Sequence, residues 1–221
     1  MADMANNSYR QYCPIAHALD VIGDRWSLLI ARELFLGPKR FTDLREGMPR
    51  IGTNSLTDRL KTLERTGIIS RRTLPPPAAS TVYELTDRGR ALEDVIVALA
   101  RWGGPTLGSR SFEQTISANS VMLALRAIFS TAAERGLRGF YLVHVEEASF
   151  EETLGVRSGE NGIEVSRVSA GSEGATMVTD VKTIYAVASG NESMQEAVEF
   201  GRIQLNGEPE HRSHFLRAFN E

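Results

Sequence analysis

Five polar residues fall on one face of a short stretch: Asn54, Ser55, Asp58, Thr62 and Arg65. At about 100° per residue they lie opposite Leu56, Leu60 and Leu63, which follow the i, i+4, i+7 rule and form one buried stripe. An amide, two hydroxyls, a carboxylate and a guanidinium on a helix about four turns long suit hydrogen bonding to an external surface, and base edges in a DNA groove are one such surface. Asn54 and Ser55, with Asp58 and Arg59 one turn later, are the expected base-edge contacts, because the N-terminal residues of a recognition helix reach deepest. Asp58 suits cytosine N4 as an acceptor, or the orientation of Arg59. Thr53 and Thr62 complete the expected contact set. The alternative for the same stretch is an ordinary helical hairpin in a core.

Other candidate chemistry is sparse. Of His17, His144, His211 and His214, only His211-x-x-His214 could set two ligands on one helix face, with Glu208 and Glu210 near. A third ligand at fixed spacing is missing, so solvated histidines are expected and no metal is assigned. No nucleophile elbow, phosphate loop or dinucleotide fingerprint is present, so no catalytic residue and no cofactor are assigned. Cys13 is a candidate for redox sensing, although a lone N-terminal cysteine is more often inert and partly buried. As the only cysteine it excludes an internal disulfide and fits a cytoplasmic setting. No apolar run approaches ~18 residues, so no membrane span is expected. The start, MADMANNSYRQY, lacks the apolar core of a secretion signal.

The elements that must position the reading helix can be traced around it. Cys13–Gly23 and Arg25–Leu36 have apolar residues at helical spacing, and Gly37-Pro38 ends the second, since proline cannot continue the hydrogen-bond ladder. Phe41 and Leu44 suit a short helix packed onto the reading helix, which Gly67 stops. Ile68–Leu74 and Thr81–Thr86 read as strands joined through Pro75-Pro76-Pro77 and Ala78-Ala79-Ser80, a hairpin with a stiff, extended tip. A hairpin directly after a recognition helix is a wing, with Arg71 and Arg72 at its base. Thr86–Gly89 then opens a helix to about Trp102, whose stripe Leu92, Ile96, Leu99 and Trp102 is longer than a small core needs and is expected to meet a partner.

Charge is distributed unevenly. The whole chain carries a net −3, but residues 1–104 hold 15 Lys and Arg against 12 Asp and Glu. Between Lys39 and Arg72 there are 9 basic and 4 acidic residues. This is the asymmetry expected when one module meets phosphates and the other does not. Lys39, Arg40, Arg50, Arg71 and Arg72 are the expected phosphate contacts. A solvated helical surface would carry charge as well, so charge alone does not decide.

Residues 13–103 resemble the HxlR family of bacterial transcription regulators, cousins of the MarR-type winged helices. The resemblance is carried by Cys13-Pro14, Val21-Ile22-Gly23-Asp24-Arg25-Trp26, Leu34 through Phe41, Ile51, Leu56 through Leu63, Gly67, Tyr83-Glu84-Leu85-Thr86 and Gly89. Asp24-Arg25 stands where many members have Gly-Lys, and the wing is longer at Ala78-Ala79. The resemblance implies a winged helix-turn-helix domain that binds double-stranded operator DNA. It also implies a homodimer formed through the first and last helices of that domain.

Gly103-Gly104-Pro105 breaks the pattern, which places a boundary between domains 1–104 and 105–221. The second segment reads as a helix over 118–135 and four strands, 140–145, 152–157, 162–168 and 175–181, with a turn at Glu160-Asn161-Gly162. Two helices, a fifth strand over 202–206 and a last helix over 208–219 follow. The expected fold is α+β with an antiparallel sheet. The tail resembles the sterol carrier protein-like fold through Thr183 to Val187, Gly190, Ala197, Phe200 to Ile203, and Leu205-Asn206-Gly207. That resemblance implies an apolar tunnel between sheet and helices. Phe140, Leu142, Ile184, Val187, Phe200, Ile203, Leu205, Phe215 and Phe219 would line a cavity for a small apolar or lipid-like ligand, or else form a filled core. The leading expectation is a dimeric, ligand-responsive regulator. A lipid carrier, or a protein-interaction module that retains a winged dimerisation scaffold, are the rivals.

Overall fold

The computed structural model describes residues 8–77, 79–108, 110–111, 113–147, 150–160, 162–168 and 175–219. Ala78 of the wing tip and Asn161 of the Glu160-Asn161-Gly162 turn lie outside the described residues. Two compact units divide after Ile96, inside a helix that the sequence places wholly before the boundary.

The first unit begins with α1 (Pro14–Ile22), whose proline occupies the first turn, where its missing N–H costs nothing. It continues through α2 (Ser27–Leu34), α3 (Phe41–Gly47) and α4 (Thr53–Arg65). Asp43 accepts the Arg40 backbone N–H at 2.8 Å and caps α3. Leu56, Leu60 and Leu63 of α4 are buried, as are Ile30 and Leu34 of α2 and Leu44 of α3, and α4 packs against α1 and β1. Each fully buried leucine contributes about 2 kcal/mol from apolar area removed from water. Gly67, at φ +70°, ends α4 where an L side chain would be strained, and the Ile68 N–H returns to the Leu63 carbonyl at 2.9 Å. The chain then turns into the antiparallel hairpin β1 (Ile69–Thr73) and β2 (Thr81–Leu85), in register from Ile69↔Leu85 to Thr73↔Thr81. Lys39 and Tyr83 exchange backbone hydrogen bonds at 2.9 and 2.8 Å, which fastens the segment before α3 to β2.

The helix expected from Thr86 to Trp102 is two pieces, α5 (Asp87–Arg90) and α6 (Leu92–Gly103), separated at Ala91. No residue of α6 is buried.

The second unit holds α7 (Ala118–Glu134), capped by the Ser117 hydroxyl, then strands β3 (Gly139–Glu147), β4 (Phe150–Gly159), β5 (Gly162–Arg167) and β6 (Thr176–Thr179). Helices α8 (Val181–Ala188) and α9 (Met194–Glu199), strand β7 (Gln204–Asn206) and helix α10 (Pro209–Phe219) follow. The sheet order is β5-β4-β3-β6-β7. It is mixed rather than antiparallel, because β6 runs parallel to β3 from Leu142↔Thr176 to Val145↔Thr179. The first three strands form a meander on one side of β3. The chain then crosses to the free edge of β3 and enters it in the same direction, which a crossover permits and a hairpin does not.

Alternation along the strands separates two sheet faces. Tyr141, Val143 and Val145 pair with Val156, Leu154 and Glu152, and Met177 pairs with both Val143 and Leu205. This face meets the helices: Phe129 of α7, Tyr141, Phe215 and Phe219 form a ring cluster with centroid separations of 4.8 to 6.1 Å. Burial raises the Tyr141 phenol pKa above its ordinary value.

Candidate nucleic-acid interface

Helix α4 presents its polar side outward. Thr53, Asn54, Ser55, Asp58, Lys61 and Arg65 are exposed, and Thr62 is half-buried beside them. Within this set Asn54, Asp58, Lys61 and Arg65 form the outermost stripe, spaced i, i+4, i+7 and i+11. At 1.5 Å rise per residue the stripe is about 16 Å long, enough to run along a major groove about 12 Å wide. Lys61, whose ammonium also donates hydrogen bonds, is a residue of this face outside the expected contact set. Its signal was positional, seven residues after Asn54 on the face opposite the leucines.

The expected cations divide by their surroundings. Arg40 and Arg50 are exposed at the ends of α3, and Lys39 sits at the β2 junction. On the wing, the Arg72 Nε donates to Glu84 at 2.9 Å across the hairpin, and Arg71 lies 3.6 Å from Glu64 of α4. Arg59 is turned away from the outer stripe toward the link between α1 and α2, where it forms an ion pair with Asp24. The carboxylate set against Arg59 is therefore that of Asp24. Asp58, one residue along, faces outward. The Arg88 guanidinium donates to the Thr66 carbonyl at 2.9 Å and ties α5 to the C-terminal end of α4.

Residues 21–111 match the HxlR-like helix-turn-helix family. Over 101 residues the chain is 40% identical to an uncharacterised HTH-type transcriptional regulator of Synechocystis sp., covering 46% of this chain and 75% of that protein. The chain belongs to the HxlR-like family. Its members named here are transcriptional regulators, not enzymes. The HTH-type transcriptional regulator YodB of Bacillus subtilis is 38% identical over 91 residues, 41% of this chain and 81% of that one. The solved reduced form of YodB is 34% identical over 46% of this chain and 100% of that chain, with a TM-score of 0.40.

In the HxlR-like unit Cys13 is half-buried at the N-cap of α1, its carbonyl accepting the His17 N–H at 2.9 Å. Ile15 and Leu19 of α1 and Val95, Leu99 and Trp102 of α6 are exposed apolar side chains, Trp102 at 82% of its surface. No helix among the described residues is long and apolar enough to cross a membrane.

The C-terminal residues expected to line one cavity do not come together. Phe140 and Leu142 lie on the sheet face opposite Tyr141, away from the ring cluster. There the Phe140 ring closes over Gly155, where a Cβ would meet it at 2.9 Å. Ile184, Ile203 and Phe215 are buried, and Leu205, half-buried, pairs with Met177 on the edge strand. Phe200 is 70% exposed, with the Arg202 guanidinium 4.9 Å above its ring. Among the described residues, Val187 and Phe219 border a cleft of about 860 Å³ that also meets Ile128, Thr131, Met194 and Glu196. His211 and His214 are exposed on α10, and no group of three potential metal ligands occurs among the described residues.

Proposed function

We propose that the chain is a homodimeric repressor or activator that binds operator DNA in the cytoplasm through α4 and the β1–β2 wing. The observation that carries this reading is the outward stripe Asn54, Asp58, Lys61 and Arg65 on a helix anchored from behind by Leu56, Leu60 and Leu63. In this reading Thr53, Asn54, Ser55, Asp58 and Thr62 address base edges, while Lys39, Arg40, Arg50, Arg71 and Arg72 hold the phosphates. The exposed apolar residues of α1 and α6 form the dimer seam, and Cys13 at the start of α1 is the candidate for redox sensing.

The test is binding of the full chain to a duplex of random sequence as salt is varied. The five phosphate-seeking cations per protomer, doubled in a dimer, give a slope of log affinity against log salt of about −9. A slope shallower than about −2 would remove DNA from the reading.

For the second unit we propose a sterol carrier protein-like role, the binding of a small apolar or amphipathic effector. The cleft of about 860 Å³ supports it by its size, and its border of Ile128, Val187, Met194 and Phe219 beside Arg135, Glu192 and Glu196 suits an amphipathic molecule better than a purely apolar one. The site proposed is this cleft, because the ring cluster of Phe129, Tyr141, Phe215 and Phe219 occupies the helix-facing side of the sheet. Titration of fatty acids and steroids into the full chain, read by native mass spectrometry, tests it. Failure of every compound to bind would leave the unit a structural appendage.

A further inference from the structure

Arg71, Arg72 and Arg59, on or beside the proposed DNA face, are each met by a carboxylate of the same unit, and the Arg59 pair differs from the other two. Arg71 with Glu64 and Arg72 with Glu84 join neighbouring elements, and both arginines are about half-exposed. Asp24 and Arg59 instead link the turn before α2 to the reading helix itself, and the Arg59 side chain is only 27% exposed. Arg59 sits on the flank of α4, about 130° round from the centre of the outermost stripe. A guanidinium there, if unheld, would reach the nearest phosphate rather than a base edge. Such a contact adds affinity for any sequence and none for the correct one.

We propose that Asp24 is a positioning residue for DNA recognition: it holds Arg59 against the turn between α1 and α2, so that the outer stripe of α4 meets the groove without a phosphate contact on its flank. The inference rests on the DNA-binding reading above. An ion pair of this exposure contributes little to stability, so its value lies in where it keeps the arginine. Asp24 and Arg59 are 35 residues apart in sequence, and the pair exists because α1 and the turn after it lie against α4.

The experiment measures anisotropy of the full chain on a random duplex of about 30 bp between roughly 50 and 200 mM NaCl. Asp24→Asn keeps the side-chain shape and removes the charge. It is expected to tighten random-duplex binding several-fold at low salt and to steepen the log–log slope by about 0.9 per protomer, one further phosphate contact. Across that fourfold salt range the gain then shrinks about 3.5-fold per protomer. Asp24→Glu, which can still reach Arg59, is expected to keep the wild-type slope. In an Arg59→Gln background, Asp24→Asn is expected to leave the slope unchanged.

An unchanged slope in folded Asp24→Asn overturns the inference. So does an equal change in the Arg59→Gln background, which would mean simple removal of negative charge. If Asp24→Asn does not fold, Arg59→Gln alone decides. It should match the wild-type slope, and a slope shallower by about 0.9 per protomer would show that Arg59 already contacts phosphate. A wild-type protein without salt dependence would sink the DNA-binding reading instead, a separate result.

Discussion

Leu99→Glu should turn the proposed dimer into a folded monomer, and the size of the effect can be worked from exposure. Leu99 keeps 45% of its surface open in the single chain, and α6 buries none of its residues. A charge at this position therefore meets water in the monomer, and the fold should tolerate it within about 0.5 kcal/mol. In the dimer seam the balance reverses. Covering the exposed half of a leucine contributes about 1 kcal/mol, which the variant forfeits. Burying a carboxylate without a partner costs about a further 1–3 kcal/mol even where water partly compensates. An interface with two-fold symmetry counts each loss twice, giving roughly 4–8 kcal/mol, or a dimer weakened at least about a thousandfold. Sedimentation velocity at micromolar protein should show a monomer, and the thermal melt should stay within a few degrees of wild type. Operator binding should fall with the dimer. A folded Leu99→Glu protein that still sediments as a dimer would take α6 out of the interface. A protein that unfolds would show that this part of α6 is packed in a way its exposure denies.

Three further outcomes follow from the same geometry. Asn54→Ala should cost about 1–3 kcal/mol on a selected operator and little on random DNA, whereas Arg71→Ala should weaken both and flatten the salt slope, which side-by-side titrations would separate. Phe215→Ala removes the centre of the ring cluster formed with Phe129, Tyr141 and Phe219, and urea melts should show a loss of about 3–5 kcal/mol for the second unit. Ser193 and Glu196 form a capping box on α9 in which the Ser193 N–H and hydroxyl hold the Glu196 carboxyl below its ordinary pKa. Its stabilisation is thus present above the ordinary carboxylate range and lost as acid takes the pH down through the lowered folded value, so Glu196→Gln should melt with a shallower acid dependence than wild type.

What could be read in advance was whatever a local pattern encodes. The leucine stripe of α4 needed only helical spacing, the wing needed two short β-like runs, and the strands and helices of the second unit fall within a few residues of their expected spans. Pairings between distant segments were not readable in this way. That β6 lies parallel to β3 depends on which edge the chain reaches after β5, and nothing in 176–179 records it. The Asp24–Arg59 pair was equally hidden, since each residue has nearer partners of opposite charge in sequence. Lys61 is a different case: its ammonium donates hydrogen bonds as Arg65 does, and the spacing of about 100° per residue already puts it opposite the leucines, so the sequence did hold its signal.

The ligand set for the second unit shows how a sound composition argument can fail on parity. Phe140, Leu142 and Phe215 are all large, apolar and close to the same sheet, so hydrophobicity alone groups them. A strand alternates its side chains, however, and a step of one residue moves a group from one face to the other. Tyr141, between Phe140 and Leu142, is the residue that meets Phe129 and Phe215. Its hydroxyl reaches the Arg138 carbonyl at 2.9 Å, which lets an amphipathic ring occupy the buried face while two purely apolar neighbours take the other. Four rings occupy the helix-facing side of the sheet, and among the described residues an open space borders Ala127, Ala188 and Met194 at the helix edges. A ligand there would bear on α7, α8 and α9 rather than on the sheet. It could shift the regulator only by favouring one arrangement of those helices over another, because equal affinity for both would shift nothing.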